Sequence, residues 1–362
     1  MTPREGSQAS RRLRSCATER RPLRVAWSPD LSNIALSMLF VMDPIGSIEI
    51  DKDTTFVLML AAQQRGHRVF YCQPTELSVE EGKPVSCVQA VTLRREVGHH
   101  ADLGAPRTLS LDDDIDVVFQ RKDPPVDIDY VTATQILALC RRALVLNRPD
   151  TVIWANEKLY AVQFPDLMPE TRVSRRIPEF IDFLAKLGGE MIVKPLGGKG
   201  GEGVFHLRHD DRNLFSILEQ VTGFGTRWAM AQRYVPEVRQ GDKRILLLEG
   251  EPLGAVLRVP AKGETRANLH VGGTAARTSL DAPDRRIVER LRPHLQRDGL
   301  FFVGIDVIGG CLTEVNVTSP TGIQEINALE GVHLENRVIE AAEHRAARHR
   351  AAAPLVHRSS DS

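Results

Sequence analysis

From about residue 38 onward the chain alternates short apolar stretches with longer helical ones, the pattern of strands separated by helices. Strands are expected over residues 39–42, 67–72, 116–120 and 144–146. Helices are expected over residues 54–65, with Asp53 as the N-cap and Gly66 just past the end, and over residues 130–142. This order predicts a parallel α/β sheet in the first half of the chain.

Two of these strands end in charged segments that contain proline. Asp43 and Pro44 follow the first strand, and the sequence Arg-Lys-Asp-Pro-Pro follows the third at residues 121–125. Ligands of parallel α/β sheets bind beyond the carboxyl ends of the strands, so both segments are candidate binding loops. Asp and Pro are also ordinary turn residues, and a purely structural role stays open.

A glycine-rich loop marks the second half of the chain, after a predicted domain boundary at residues 147–149. A strand over residues 190–195 leads into a loop in which Gly198 and Gly203 complete a G-x-G-x-x-G pattern. A dinucleotide-binding loop would require a helix next, whereas residues 204–208 have the pattern of another strand. The loop is therefore predicted to be the tip of a β-hairpin.

This hairpin tip is a candidate phosphate-binding loop. Without side chains in the way, the backbone N–H groups of a glycine loop can approach anionic oxygens closely. Lys194 lies within the apolar strand before the loop, where a lysine is costly unless an anion meets its charge. The alternatives are a flexible turn without a ligand and an edge-strand lysine with its head in water.

The most informative segment is residues 301–320, which has the pattern of two apolar strands joined at a Gly-Gly pair. Asp306, Glu314 and Asn316 interrupt the apolar runs, and oxygen-bearing side chains of this kind suit Mg²⁺. A strict two-residue turn would place Asp306 opposite Thr313. A three-residue loop would pair Asp306 with Glu314 and put all three side chains on one face, so the metal hypothesis predicts the longer loop. Solvated polar residues on an exposed face are the alternative.

Charged residues between the glycine loop and the acidic strands complete the candidate site. Arg244 begins one buried-looking strand and Arg258 ends another, and residues 263–273 form a polar, glycine-rich stretch that is a candidate lid. Surface charge is the simpler explanation for any one arginine in a chain so rich in arginine. Together, the lysines, the glycine hairpin and the carboxylates are the groups that phosphoryl transfer requires to position the phosphates and neutralise their charge.

Composition narrows the functional classes. The 362 residues carry 47 Lys+Arg and 47 Asp+Glu, a formal net charge of +0, which argues against a nucleic-acid partner. No apolar run reaches the roughly 20 residues that a membrane span needs, so no membrane partner is expected. Five cysteines without a CxxC pair indicate reduced thiols in the cytoplasm rather than a zinc site or a disulfide framework.

The two ends of the chain are expected to lie outside the folded part. Residues 1–37 are rich in arginine and serine, and a transit peptide, a basic arm or a translation start at Met38 would each explain them. The strand-like sequence after Met38 favours the third explanation, with residues 1–37 as a disordered or wrongly assigned extension. Residues 345–362 are predicted to be a frayed helix followed by a disordered tail. Two domains are predicted between the ends, over residues 38–150 and 151–344.

The order of these motifs resembles that of bacterial-type glutathione synthetases of the ATP-grasp superfamily, from about residue 41 to residue 330. The sequences that carry the resemblance are VMDPI at 41–45, RKDPP at 121–125, NEKL at 156–159, VKPL at 193–196, GDKR at 241–244 and LTEVNVTSPT at 312–321. The resemblance implies an N-terminal parallel α/β (pre-ATP-grasp) domain followed by a two-lobed ATP-grasp fold, with a lid at about residues 258–275.

The resemblance also implies a reaction. ATP would phosphorylate the C-terminal carboxylate of γ-glutamylcysteine, and the amine of glycine would then displace the phosphate to give glutathione. ATP would be a co-substrate, two Mg²⁺ ions (with Mn²⁺ as an alternative) would be the cofactors, and the protein would be a cytoplasmic homo-oligomer. A different ATP-grasp carboxylate–amine ligase and a non-catalytic nucleotide-binding protein are the alternatives.

Carried over position by position, the resemblance gives the matching residues of this chain their expected roles. The catalytic residues that would hold the acyl phosphate are Arg244 and Arg258. The metal ligands would be Asp306, Glu314 and Asn316. The residues that would approach the dipeptide are Asn316, Thr318 and Ser319. The residues that would bind ATP through its phosphates, adenine or ribose are Lys158, Lys194, Gly198, Gly200, Gly201, Gln232, Arg233, Tyr234, Val235 and Asp242.

Several positions depart from the family pattern. Residues 197–199 lack the usual Asp-Gly-Met, Arg233 stands where Asn is common, and Ala267 and Thr274 replace a Gly and an Arg in the lid. These departures bear on the geometry of the glycine loop and on lid closure. They leave the predicted metal ligands and the two predicted ATP-binding lysines in place.

Overall fold

The computed structural model describes residues 35–198, 200–261 and 272–352. The strands of these residues are β1 (Ser37–Val41), β2 (Arg68–Cys72), β3 (Leu77–Glu80), β4 (Lys83–Leu93), β5 (Ala101–Leu103), β6 (Arg107–Ser110), β7 (Val117–Gln120), β8 (Leu144–Leu146), β9 (Thr171–Ser174), β10 (Glu190–Pro195), β11 (Phe205–Arg208), β12 (Ala229–Arg233), β13 (Asp242–Leu248), β14 (Glu251–Val259), β15 (Thr274–Ala276), β16 (Phe302–Ile308) and β17 (Cys311–Asn316). The α-helices are α1 (Thr54–Gln64), α2 (Leu111–Asp114), α3 (Ile128–Leu137), α4 (Pro149–Trp154), α5 (Glu157–Ala161), α6 (Ile177–Lys186), α7 (Leu214–Thr222), α8 (Ala282–Arg297), α9 (Ile323–Glu330) and α10 (Leu334–Ala352).

The first sheet contains the predicted parallel strands. Strand β1 lies between β2 and β7, and β8 extends the sheet beyond β7, all four in parallel. Met38 and Phe40 of β1 pack into one hydrophobic core, and Leu39 and Val41 pack into the core on the other face. A strand buried on both faces explains why its sequence is a continuous apolar run.

Helix α1 begins where its sequence predicts. The Asp53 side chain accepts a hydrogen bond from the backbone N–H of Phe56 at 2.6 Å, which satisfies one of the free donors at the start of a helix. The predicted N-cap is therefore confirmed. The helix places Thr55 and Phe56 against the parallel strands, beside their carboxyl ends.

Two parts of the first half differ from expectation. Strands β3, β5 and β6 pair with β4, and β4 pairs antiparallel with β2, so the sheet has an antiparallel extension that the sequence pattern did not reveal. Helix α3 ends at Leu137 and not at residue 142. The Asp112 carboxylate accepts hydrogen bonds from the backbone N–H groups of Arg141 (2.9 Å) and Arg142 (2.8 Å), which holds this stretch outside the helix.

The folded part extends further at both ends than the sequence suggests. Ser37, which the sequence assigns to the N-terminal extension, begins β1 and is 1% exposed. Its backbone N–H donates to Asp116 Oδ2 at 2.8 Å. The start of residues 345–362 was predicted to be a frayed helix, and residues 345–352 do continue α10, with Ala346 buried in the core. Residues 1–34 and 353–362, which make up the rest of both predicted segments, lie outside the described residues.

The second half contains two antiparallel sheets, in the strand orders β11-β10-β12-β9 and β15-β14-β13-β16-β17. One face of the five-stranded sheet packs on α5 and α8 through residues such as Ile245, Ile305 and Val315. Its opposite face carries Arg244 and Asp306, which are directly paired on neighbouring strands. Leu246, two positions beyond Arg244 and on the same face, packs into another hydrophobic core, so the polar residues occupy only part of this face.

The two halves share part of one hydrophobic core. Phe40 and Phe56 of the first half belong to the same cluster as Leu246, Phe302 and Val338 of the second. The predicted domain boundary near residue 150 stays a prediction. Within the described ranges, no helix is both long and apolar enough to cross a membrane. Most of the predicted lid, including Ala267, lies at residues 262–271, outside the described residues.

Candidate active site

The residues predicted to bind ATP come together in the structure. A cavity of about 120 Å³ lies between the four-stranded and the five-stranded sheets. All of the residues predicted to bind ATP line it, and so do Asp306 and Glu314 of the predicted metal ligands. This placement does not test what each residue does, and the individual roles stay predictions.

Two buried lysines converge on one carboxylate in this cavity. Lys158 is held in the first turn of α5, which Asn156 caps by accepting hydrogen bonds from the Lys158 and Leu159 N–H groups. The Lys194 Nζ donates to Glu314 Oε1 at 3.1 Å, and the Lys158 Nζ lies 3.7 Å from the same oxygen. The two ammonium groups are therefore close enough to act together on an anion.

Burial and charge act in opposite directions on this group. Burial favours a raised pKa for Glu314, but the charges of Lys158 and Lys194 outweigh it and lower that pKa. Burial likewise favours a lowered pKa for Lys158, but Glu314 and Glu157 outweigh it and raise that pKa. The pKa of Glu157 is raised by its own burial and by the nearby Glu314 charge. Glu314 therefore stays ionised and Lys158 stays protonated at neutral pH.

The glycine loop is a hairpin tip, as the sequence predicts. Strands β10 and β11 pair antiparallel up to Val193 and Phe205, and the loop connects them without a helix. A Cβ atom added to Gly198 would lie 2.9 Å from Glu202 O and 2.9 Å from Pro195 Cγ, so only glycine fits there without a shift. The Gly198 carbonyl accepts a hydrogen bond from Lys158 Nζ at 2.9 Å, which ties the loop to the lysine pair.

The predicted adenine-binding segment follows β12 at the other end of the cavity. Gln232 is buried and donates from Nε2 to Thr171 Oγ1 at 3.1 Å. The Tyr234 ring stacks on His206, with ring centroids 4.1 Å apart. Arg233 is exposed, and its guanidinium binds both carboxylate oxygens of Glu170 at 2.6 Å. The Arg233 side chain is thus occupied by a surface ion pair, and its backbone is left as the part that lines the cavity.

The acidic hairpin has the predicted pairing but reaches it in a different way. Asp306 lies directly opposite Glu314, and Gly304 lies opposite Asn316, so the three polar side chains share one face. The connection is a two-residue turn, because Ile308 pairs with Cys311, and the predicted three-residue loop is wrong. The extra residue is Thr313, which forms a β-bulge between the two pairs and resets the register.

The side chains on this face suit a hard divalent cation. Asp306 and Glu314 supply carboxylate oxygens, and the amide of Asn316 lies with its Nδ2 3.3 Å from Asp306 Oδ2. Carboxylates and carbonyl oxygens are the ligands that Mg²⁺ prefers. In the described ranges, no group of three or more His, Cys, Asp or Glu side chains could hold a metal ion. An ion here would therefore need phosphate and water oxygens as further ligands.

Arg244 and Arg258 lie against the acidic wall of the cavity. Arg244 binds Asp306 through both Nε (2.5 Å) and Nη2 (2.9 Å), and Arg258 Nη2 lies 3.1 Å from Asp306 Oδ1. Burial favours a raised pKa for Asp306, but the two guanidinium charges outweigh it and lower that pKa. Arg258 also binds Asp242, whose own pKa burial raises to about 6 despite this partner.

Two polar atoms at this end of the cavity are buried and have no hydrogen-bond partner among the described residues. They are the acceptor Asp242 Oδ1 and the donor Arg258 Nε. Buried polar groups in folded proteins are nearly always paired, so an unpaired acceptor beside an unpaired donor suggests that a ligand supplies the partners. A hydroxyl group and an anionic oxygen are the partners that these two atoms could take.

The predicted dipeptide-binding residues follow β17. Thr318 and Ser319 are half-buried, and neither they nor Asn316 belong to the cavity lining. The segment is nevertheless joined to the site, because Arg244 Nη1 donates to the carbonyl of Thr321 at 3.2 Å. Arg244 therefore connects the acidic wall with the chain just beyond Ser319.

Sequence reasoning missed several residues of the cavity. Ile192 lies two positions before Lys194 on the same strand face, so strand alternation could have revealed it. Glu157 does not line the cavity but forms an ion pair with Lys158, and its sequence gave no sign of a burial that depends on the packing of α5 against β17. The other unpredicted lining residues are Pro169, Glu202, Val204, Val238, Ile308 and Thr313.

Solved structures resemble this fold. A D-cycloserine synthetase superposes with a TM-score of 0.61 at 16% identity and covers 85% of this chain and 99% of its own. An ATP-grasp protein with a RimK domain from Sphaerobacter thermophilus gives a TM-score of 0.57 at 17% identity, with coverage of 85% and 99%. At such identities the likeness shows the fold alone, and the fold is that of the ATP-grasp ligases.

Sequence comparisons identify the family within that class. The model of the prokaryotic glutathione synthetase N-terminal domain matches residues 36–152, and the model of the ATP-grasp domain of the same enzymes matches residues 157–331. Glutathione synthetase from Gloeobacter violaceus is 45% identical over 84% of this chain and 96% of its own length. That from Brucella melitensis is 43% identical over 86% of this chain and 100% of its own. The chain belongs to the prokaryotic glutathione synthetase family, which makes it an ATP-dependent carbon–nitrogen ligase.

Proposed function

We propose that this chain joins γ-glutamylcysteine to glycine at the expense of ATP. The observation that carries the proposal is the meeting of two buried lysines with the acidic pair Asp306 and Glu314 in one cavity. Cations on one side and oxygen ligands on the other are what an enzyme needs to hold a nucleotide triphosphate for phosphoryl transfer. Membership of the glutathione synthetase family supports the choice of substrates.

In the first step of the proposed reaction, the γ-phosphoryl group of ATP moves to the C-terminal carboxylate of the dipeptide. A bond forms between a carboxylate oxygen and phosphorus, the bond to the β-phosphate oxygen breaks, and ADP leaves. Lys158 and Lys194 would bind the phosphate oxygens, since both side chains are buried and the Lys158 ammonium stays protonated. The backbone N–H groups of the glycine loop would cover the same oxygens.

The metal ligands in this proposal are Asp306, Glu314 and Asn316. Bound Mg²⁺, or Mn²⁺ in its place, would neutralise charge on the phosphate oxygens and orient them. The side chains themselves would fix where such an ion can sit, because Asp306 and Glu314 are paired across neighbouring strands.

In the second step, the amine of glycine attacks the acyl carbon. A carbon–nitrogen bond forms, the bond from the acyl carbon to the phosphate oxygen breaks, and the amine loses a proton as inorganic phosphate leaves. Arg258 would stabilise the negative charge that develops, since its buried Nε has no partner among the described residues. Arg244, which is held in place by its hydrogen bond to Asp306, would help to stabilise the same negative charge.

The ribose would hydrogen-bond to Asp242. Asp242 lines the cavity, and its buried Oδ1, which has no partner among the described residues, would accept a hydrogen bond from a ribose hydroxyl group. Asp242 is also bound to Arg258, so nucleotide binding and the position of the proposed catalytic arginine would be linked through one carboxylate. A cytoplasmic homo-oligomer is part of the same proposal.

The test is ADP release by purified protein with Mg²⁺, ATP and γ-glutamylcysteine, with and without glycine. Glycine-dependent ADP release, with one glutathione formed per ADP, is the expected result. ADP release with a different acid or amine, and none with this pair, would overturn the choice of substrates. Nucleotide binding without ADP release from any pair would overturn the proposal of catalysis.

A further inference from the structure

Arg121 is a buried cation that the proposed reaction does not use. It follows β7, at the carboxyl end of the parallel strands, and it is 5% exposed. Its backbone N–H donates to the carbonyl of Val41 at 2.7 Å, which fixes the start of the charged segment 121–125. Its side chain then extends away from the first sheet and crosses the ring of Phe302, with Cζ 5.8 Å from the ring centroid.

The hydrogen bonds of Arg121 go to neutral groups. The guanidinium donates from Nε to Thr55 Oγ1 at 3.1 Å and from Nη2 to the carbonyl of Pro320 at 3.0 Å. Burial lowers the pKa of this side chain, although Asp53 and Asp123 act against burial from nearby. A buried guanidinium is costly, and a neutral side chain could make such bonds at a lower cost.

Pro320 directly follows the segment that is predicted to approach the dipeptide. The Asn147 side chain holds the start of this segment, because Asn147 Nδ2 donates to the carbonyl of Val317 at 2.7 Å. Thr318 and Ser319 thus lie between the carbonyl groups of Val317 and Pro320, which Asn147 and Arg121 hold by hydrogen bonds. Arg244 fixes the next carbonyl, that of Thr321, from the five-stranded sheet.

We infer that Arg121 is a positioning residue for the substrate-binding segment at residues 318–319, through which the first half of the chain sets the affinity for the γ-glutamyl dipeptide. The inference rests on the proposed function, since it takes the dipeptide as the ligand of this segment. The two acceptors of the Arg121 guanidinium, Thr55 and Pro320, are not among the residues that line the nucleotide cavity. Its loss should therefore change dipeptide binding and leave ATP binding as it is.

The experiment compares Arg121→Met with the unchanged enzyme. A hydrogen bond from a charged group contributes enough that its loss should raise the KM for γ-glutamylcysteine about tenfold or more. The dissociation constant for ATP, measured directly by calorimetry, should stay within about twofold. Arg121→Lys keeps the charge but reaches one acceptor at a time, so a smaller rise in the dipeptide KM is expected.

Thr55→Val is the matched control. It removes the other acceptor of Arg121 and keeps the bond to Pro320, so a lower melting temperature with an unchanged dipeptide KM is expected. If Arg121→Met and Thr55→Val have the same effect on KM, Arg121 is only a structural residue and the inference is wrong. If Arg121→Met does not fold, Arg121→Lys gives the same comparison.

Amide hydrogen exchange separates this inference from the proposed function. In the ligand-free protein, Arg121→Met should speed exchange at residues 318–324 and leave the cavity-lining strands unchanged. If the unchanged enzyme makes no glutathione, the proposed function fails and this exchange result still stands. Active enzyme with equal exchange and equal dipeptide KM in Arg121→Met would refute the inference alone.

Discussion

The two hairpins that line the cavity carry opposite charges and turn in different ways. The β10–β11 hairpin places Lys194 on a strand and then continues through the glycine loop at residues 196–204. The β16–β17 hairpin places Asp306 and Glu314 on paired strands and closes with a two-residue turn. In both, the charged side chains stand on regular strands, where neighbouring strands fix their position.

The difference lies in what each tip does. Gly198, Gly200 and Gly201 of the glycine loop line the cavity, and the shape of the loop leaves no room for a side chain at Gly198. The acidic hairpin needs no long tip, because the bulge at Thr313 already brings both carboxylates to one face. In the proposed roles, the cover for phosphates would come from a loop, whereas the metal-binding pair would come from the register of two strands.

The largest effect should come from the acidic hairpin. Glu314→Gln removes the charge that meets both lysines and one of the proposed metal ligands, so kcat should fall by about a thousandfold. The rate of ADP release at saturating Mg²⁺ measures kcat. Glu251→Gln is the control on the same sheet, since Glu251 is exposed and pairs with Arg292 at the surface, and its kcat should be unchanged. More than a tenth of the original kcat in Glu314→Gln would show that this carboxylate is not essential.

A smaller effect is expected from the opposite hairpin. Lys194→Met keeps the length of the side chain and removes its charge, so ATP affinity should fall by about ten- to a hundredfold. Calorimetric titration with ATP and Mg²⁺ measures the change. Lys52→Met is the control, because Lys52 lies in the first half of the chain and forms an exposed ion pair with Glu49. Equal ATP affinity in Lys194→Met and the unchanged enzyme would remove Lys194 from the proposed phosphate site.

The sequence predicts the charged strands well and the turns less well. Helix and strand patterns depend on neighbouring residues, so β10, α1 with its Asp53 cap, and the pairing of Asp306 with Glu314 follow from the sequence. The bulge at Thr313 does not, because a three-residue loop and a bulged two-residue turn give the same pairing. Strands β3, β5 and β6, which pair with β4, were missed for a different reason. They are three or four residues long and mostly exposed, so their sequences lack the apolar runs that mark a buried strand.

In the candidate site, too, local motifs were predictable from the sequence and contacts between distant residues were not. Most of the residues that line the cavity were predicted from motifs, since each motif holds its residues close together in sequence. The link between Arg121 and Pro320 joins residues far apart in the chain, and only the fold brings them within 3.0 Å. The burial of Glu157 is likewise a consequence of how α5 packs on β17.

The shape of the glycine loop can be tested with two neighbouring glycines. Gly198→Ala adds a Cβ atom that would meet Glu202 O and Pro195 Cγ, whereas Gly197→Ala adds one with nothing within 4 Å. A shift of the loop by a fraction of an ångström should raise the KM for ATP about tenfold in Gly198→Ala only. Steady-state kinetics of both variants measure it. Similar ATP KM values in the two variants would show that the loop is not held in this shape when ATP binds.

The smallest effect should come from Arg233, which the resemblance marks as a departure from the family pattern. Its guanidinium binds Glu170 at the surface, where ion pairs contribute little to stability or binding. Arg233→Asn restores the residue common in the family, and it should change the ATP dissociation constant by less than about threefold, because β12 would still supply its backbone to the cavity. Glu170→Gln should behave in the same way. A tenfold loss of ATP affinity in Arg233→Asn, but not in Glu170→Gln, would mean that the guanidinium leaves Glu170 and binds the nucleotide itself.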